Sequence, residues 1–96
     1  MNHLSNSNDF NNIIKKDLWL VDFSATWCGP CRMLEPNLEE FAKNNNVLQV
    51  DIDKFGELTE SFGIMSVPTL ILFNNGELVK QTVGYKSLED LEKFVK

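Results

Sequence analysis

The sequence predicts an α/β fold in which a mixed β-sheet is covered by helices on both faces. Three observations carry that expectation. Helix-like and strand-like segments alternate along the chain. The segment Leu18–Ser24 is apolar almost throughout, as in a central strand buried on both sides. An Asn-Gly pair separates the last two strand-like segments, which marks an antiparallel hairpin.

Taken in order, the first element is a short strand at Asn2–Leu4. Asn8–Lys16 carries Phe10, Ile13 and Ile14 at helical spacing, with Ser7 or Asn8 as cap. Leu18–Ser24 follows as a strand. Pro30–Asn44 reads as a helix with an apolar stripe of Leu34, Leu38, Phe41 and Ala42, interrupted by Pro36, which removes one helical hydrogen bond and should kink the axis. Val47–Ile52 reads as a strand. Phe55–Phe62 reads as a short helix stopped by Gly63. Thr69–Phe73 and Glu77–Val83 are paired strands joined at Asn74-Asn75-Gly76. Ser87–Val95 is the closing helix, capped by Ser87 with Asp90 completing a capping box, and with Leu88, Leu91, Phe94 and Val95 inward. Trp19 is expected in the core.

Ninety-six residues suit one domain spanning 1–96, long enough to fold around a single core. The net charge of −5 excludes the basic face that nucleic acid requires. No apolar run approaches the length of about 20 residues that crosses a bilayer, and Met1–Asp9 has no apolar stretch of the kind that directs secretion. These features point to a cytoplasmic protein, expected to be a monomer, with no nucleic-acid or membrane partner.

The two cysteines stand as Cys28-Gly29-Pro30-Cys31. A bridge between them would close so short a loop that its stabilising effect is small. In an intracellular protein such a pair is more often redox-active or metal-binding. Zinc normally needs four ligands, and the only other soft ligand here is His3, so no metal site is expected. Cys28 falls at the start of the helix that follows the first long strand, where unpaired N–H groups and the helix dipole favour a thiolate. Cys31 lies one turn further in, expected to be less exposed and less acidic. Gly29 lets another backbone approach closely, and Pro30 fits the first helical turn because its missing N–H is not needed there. Asp22 sits within the apolar strand, where burial should raise its pKa. Its alternative role is a strand-end carboxylate bonded to solvent or backbone.

The run Trp27-Cys28-Gly29-Pro30-Cys31 after Leu20-Val21-Asp22-Phe23 resembles the thioredoxin family. So do Ser66-Val67-Pro68-Thr69, Phe73-Asn74-Asn75-Gly76 and Val83-Gly84-Tyr85, and the likeness extends from about His3 to Val95. The resemblance implies a thioredoxin-like three-layer fold and a thiol–disulfide oxidoreductase acting on protein disulfides. It assigns Cys28 as nucleophile, Cys31 as resolving thiol, Asp22 as the carboxylate serving Cys31, and Pro68 as a cis-proline beside the disulfide. Trp27, Gly29, Pro30, Val67, Pro68 and Gly84 would form the substrate groove, with Val67 offering backbone groups to an extended substrate. It implies no cofactor beyond the Cys28–Cys31 disulfide itself, and two kinds of partner: an NADPH-dependent thioredoxin reductase and disulfide-containing client proteins. Thioredoxins typically hold the attacking thiol near pKa 7 rather than about 8.5, which raises the thiolate fraction at pH 7 from about 3% to about 50%. That benchmark belongs to the family. Its cost of about 2 kcal/mol lies within the reach of a partly buried helix terminus. An oxidant or isomerase, and a module that docks partners through the Trp27, Pro68 and Gly84 surface, are the competing functions.

Two side chains depart from the family pattern: Ser24, where Trp is frequent, and Gln49, where many members carry Lys beside the buried carboxylate. Without that cation, Asp22 should hold its proton more tightly than in Lys-bearing relatives. Gln49→Lys should therefore lower the Asp22 titration midpoint, followed by carboxyl NMR; a midpoint that stays or rises contradicts this electrostatic reading.

Overall fold

The computed structural model describes residues Met1–Lys96. Five strands form one sheet in the order β1-β3-β2-β4-β5: β1 (Asn2–His3), β2 (Leu18–Ser24), β3 (Asn46–Asp51), β4 (Thr69–Asn74) and β5 (Glu77–Val83). β1, β3 and β2 run parallel, while β4 and β5 add antiparallel. The short β1 does form, and Leu4 N–H extends its pairing by donating to Gln49 O at 2.9 Å.

The helices are α1 (Phe10–Ile14), entered through a 3-10 turn at Ser7–Asp9, then α2 (Gly29–Phe41), α3 (Gly56–Ser61) and α4 (Leu88–Phe94). Asn6, rather than Ser7 or Asn8, caps the first turn, accepting from Asn8 N–H at 2.9 Å. The segment is thus shorter than the expected Asn8–Lys16. Its C-terminal end is set by Asp17, whose left-handed backbone (φ 74°) is tied to the hairpin by two bonds to Asn75. α2 begins one residue earlier than expected and stops at Phe41, three residues before Asn44. It runs through Pro36, which leaves Arg32 O without its helical donor. At α4 the Ser87 hydroxyl accepts from Asp90 N–H at 3.1 Å, but the Asp90 side chain returns no bond, so only half of the capping box is present.

The alternating pleat of β2 and β3 sorts side chains into two apolar layers. Val21, Phe23, Leu48 and Val50 face α1 and α3, joining Phe10, Ile14, Phe55, Ile71 and Phe73. Leu20 and Val47 face α2 and α4, joining Leu34, Leu38, Phe41, Leu70 and Leu91. Leu91 is the one fully buried residue of α4; Leu88, Phe94 and Val95 are half-buried. The apolar run of β2 is less uniformly enclosed than its composition suggests. Leu18 is exposed, and Trp19 is half-buried rather than in the core, its indole N–H donating to Lys16 O at 3.1 Å. Trp19 sits near the β2–α1 entrance, where the indole can keep one edge wet.

Phe10 is 1% exposed and meets Phe62 and Phe73 at ring centroid separations of 5.6 and 5.8 Å. Phe10→Ala should therefore cost about 3–5 kcal/mol of unfolding free energy, the range for emptying a buried aromatic site. Urea denaturation checks this, and a loss below about 1 kcal/mol would mean that the layer does not depend on α1.

Candidate active site

β2 ends level with β3, Ser24 opposite Asp51, and the chain leaves the sheet to reach Cys28, which is the N-cap residue of α2 (φ −90°, ψ 117°). Its sulfur accepts from Cys31 N–H at 3.2 Å. An Asp or Ser side chain at an N-cap satisfies an orphan donor in the same way; here a sulfur takes that place. α2 is thirteen residues long, so the partial positive charge of a full helix terminus falls on that sulfur. Cys28 and Cys31 are joined as a disulfide with their Cα atoms 5.2 Å apart.

Cys31 was expected to be the less exposed thiol, but the two residues are almost equally buried, at 5% and 4% exposure. What separates them is the space each one borders. Cys28 borders an apolar hollow of about 460 Å³, together with Trp27, Gly29, Pro30, Ile52, Ile64, Met65, Ser66 and Val67. Cys31 borders a smaller polar hollow of about 90 Å³, with Ser24, Thr26, Arg32, Glu35, Gln49 and Asp51.

In the apolar hollow Trp27 is exposed, and its indole N–H is held by Asp53 Oδ2 at 2.8 Å. The Val67–Pro68 peptide bond is cis. Val67 O lies 3.6 Å from the Cys28 sulfur. Pro68 is buried and does not border the hollow, and neither does Gly84. Gly84 instead donates its N–H to Pro68 O at 2.8 Å, with a φ of +100° that side chains rarely adopt. Trp27, Gly29, Pro30 and Val67 are therefore together around Cys28, with Pro68 and Gly84 behind them. Sequence reading missed Asp53, Ile52, Ile64 and Met65. The signal for Asp53 would have been an acid just past β3; Met65 is 94% exposed, an apolar side chain left in water beside the site.

Asp22 shares the α2 side of β2 with Leu20 and is fully buried. The strand register places it opposite Gln49, whose side-chain amide donates to Asp22 Oδ2 at 3.1 Å. Asp22 Oδ1 has no partner. Burial pushes the Asp22 pKa up from 3.8 to about 6. The Gln49 amide opposes that rise, the negative charge of Glu35 adds to it, and the Ser24 hydroxyl opposes it weakly without a hydrogen bond to either carboxylate oxygen. Glu35 was not singled out from sequence. Its position, one turn after Cys31 on α2, was the available signal. No group of three or more His, Cys, Asp or Glu side chains is gathered to hold a metal.

A disulfide set at a helix N-terminus, bordered by an apolar hollow and backed by a buried carboxylate, defines a thiol–disulfide oxidoreductase. The thioredoxin family profile matches residues 1–96. The thioredoxin of Alicyclobacillus acidocaldarius is 54% identical over 77 residues, covering 76% of this chain and 73% of that protein. The thioredoxin of Chlamydia muridarum is 42% identical over 98 residues, covering 99% and 96%. Among solved structures, a mutant thioredoxin from Halobacterium salinarum superposes with a TM-score of 0.92 at 34% identity, covering 98% of this chain and 86% of that one. The chain belongs to the thioredoxin family.

The raised Asp22 pKa is also a statement about stability. A folded value of about 6 above an ordinary 3.8 means folding favours the protonated form. That contribution is whole below about pH 4 and is lost as pH rises through about 6, a difference of roughly 3 kcal/mol. Asp22→Asn should remove this dependence. Urea unfolding at pH 4 and pH 8 should show the unsubstituted protein losing about 3 kcal/mol relative to Asp22→Asn; parallel changes in the two proteins would contradict the assignment.

Proposed function

We propose that the protein is a general reductant of protein disulfides, with Cys28 as attacking thiolate and Cys31 as resolving thiol. The observation that carries the assignment is the Cys31 N–H donated to the Cys28 sulfur at the start of α2. That bond, with the helix terminus behind it, stabilises negative charge on Cys28 and on no other sulfur.

The cycle has three steps. Cys28 thiolate attacks a client disulfide in line, forming a mixed disulfide and expelling one client thiolate. Cys31 then gives up its proton and attacks the Cys28 sulfur, forming the Cys28–Cys31 bond and releasing the second client thiolate. Asp22 acts as the base for Cys31: a pKa of about 6 leaves it mostly ionised at neutral pH yet close enough to that pH to exchange protons readily. A thioredoxin reductase using NADPH restores the dithiol. The client segment lies across the apolar hollow as an extended strand, meeting Trp27 on one side and Val67 backbone on the other, with Pro68 and Gly84 holding the Val67 loop in place. The working form is a cytoplasmic monomer that needs no cofactor beyond its own disulfide.

Insulin reduction driven by dithiothreitol tests the chemistry. Cys28→Ser should abolish the accelerated rate, and full activity in that variant sinks the mechanism. Cys31→Ser should capture clients as stable mixed disulfides on Cys28, seen as adducts by mass spectrometry that dithiothreitol releases.

A further inference from the structure

The loop between β5 and α4, residues 84–87, has little backbone bonding of its own. Gly84 N–H donates to Pro68 O at 2.8 Å, whereas neither Tyr85 nor Lys86 joins a backbone–backbone hydrogen bond. Side chains hold the loop instead. The Asn37 amide, half-buried in the second half of α2, donates to the Tyr85 hydroxyl and to Lys86 O, both at 3.0 Å. Lys86 Nζ donates to Val83 O at 3.1 Å, with Tyr85 O at 3.4 Å and Gly84 O at 3.5 Å beside it. These contacts close a ring around the site. α2 begins at Cys28 and carries Asn37, Asn37 holds Tyr85 and Lys86, and Gly84 holds Pro68. Val67 O, next in the chain, returns to 3.6 Å from the Cys28 sulfur.

We propose that Asn37 is a positioning residue for the client: it clamps the loop 83–86 to the helix that carries both cysteines, and so fixes the Val67 backbone relative to Cys28. The inference rests on the client path along Val67 proposed above and deepens it. Asn37 touches neither client nor sulfur; it acts through Gly84 and Pro68. One short amide reaches a side-chain acceptor and a backbone acceptor together, so the loop is held at two points and resists pivoting about either. A loop tied down before the client arrives need not be ordered when it binds, and loop ordering is a cost of association that is read in affinity. A small disulfide has no extended chain to lay along Val67 and gains nothing from that preparation. Clamping therefore separates protein clients from small disulfides, which a change in Cys28 reactivity would not do.

Asn37→Leu keeps the side chain's size and removes both donors. In insulin reduction driven by dithiothreitol it should raise KM about fivefold, the equivalent of one net hydrogen bond, with kcat unchanged. Its reduced form should react with a small aromatic disulfide in stopped flow at the unsubstituted rate. Amide hydrogen exchange should quicken at Gly84 while the amides of β2 stay protected. Tyr85→Phe removes one of the two acceptors and should raise KM about twofold. The double variant should match Asn37→Leu alone, since the Tyr85 hydroxyl acts only through the Asn37 amide. An unchanged KM for insulin overturns the proposal, and so does an equal loss with the small disulfide, which would place the effect on Cys28 itself. Faster exchange throughout β2 would make Asn37 a residue of stability alone and overturns it as well. Cys28→Ser serves as the separate arm: insulin reduction that survives it puts the two-cysteine cycle at fault rather than the clamp.

Discussion

The N–H of Cys31 donated to the sulfur of Cys28 is the contact around which the molecule is arranged. For that N–H to be free, a helix must begin at Cys28, because only the first turn has donors without partners. For the helix to begin there, β2 must deliver the chain to the end of the sheet at that point. β2 can do so only as an interior strand, hydrogen-bonded to β3 on one side and β4 on the other. The two apolar layers hold that strand in register, since a slip by one residue would exchange Val21 and Phe23 for Asp22 and Ser24 on the α1 face. The chemistry at the sulfur thus draws on apolar packing that it never touches.

The same alternation that makes β2 a good interior strand also determines where Asp22 goes. Its neighbours in the pleat, Leu20 and Ser24, look toward α2, so the carboxylate is carried into the interior beside Gln49. A core built for stability alone would place an apolar residue there, because the buried charge costs roughly 3 kcal/mol at neutral pH. One hydrogen bond to one of its two oxygens offsets only part of that cost. A buried, half-satisfied carboxylate of this kind is what the proposed proton-transfer role of Asp22 calls for, and folding alone does not.

Much of this was legible in the sequence, and the reasons differ by element. β2 and β5 were readable to the residue because turn chemistry or a helix start bounds them: Ser24 precedes the cysteine loop, and Asn75-Gly76 fixes the hairpin through backbone torsions that few residues accept. The ends of α1 and α2 were not, because Asn and Lys in those stretches suit both a frayed helix and a turn, and tertiary bonds such as those from Asp17 to Asn75 decide between them. Trp19 misled because hydrophobicity alone does not say which end of a strand is capped by solvent. At the site, Cys28, Cys31 and Asp22 were visible from local pattern. Gln49 was visible only through the family likeness, and Asp53 and Glu35 only as an acid just past β3 and an acid one turn after Cys31, since their importance comes from contacts between β3, α2 and the active loop that no single segment encodes.

Residue burial, which might have distinguished the two sulfurs, does not do so; their surroundings do. Cys28 borders the space that admits apolar side chains and an extended backbone, and Cys31 borders the space that admits water. Exchange requires both environments within one helical turn. A client must displace water to align three sulfurs, and low polarity around Cys28 favours that approach. In the proposed cycle a proton must nonetheless leave Cys31, which low polarity disfavours. Placing the apolar hollow against one cysteine and the polar hollow against the other resolves the conflict by geometry. It also explains why the spacer is two residues long: on a helix that separation sets the sulfurs on neighbouring positions, near enough to bond yet facing different surroundings.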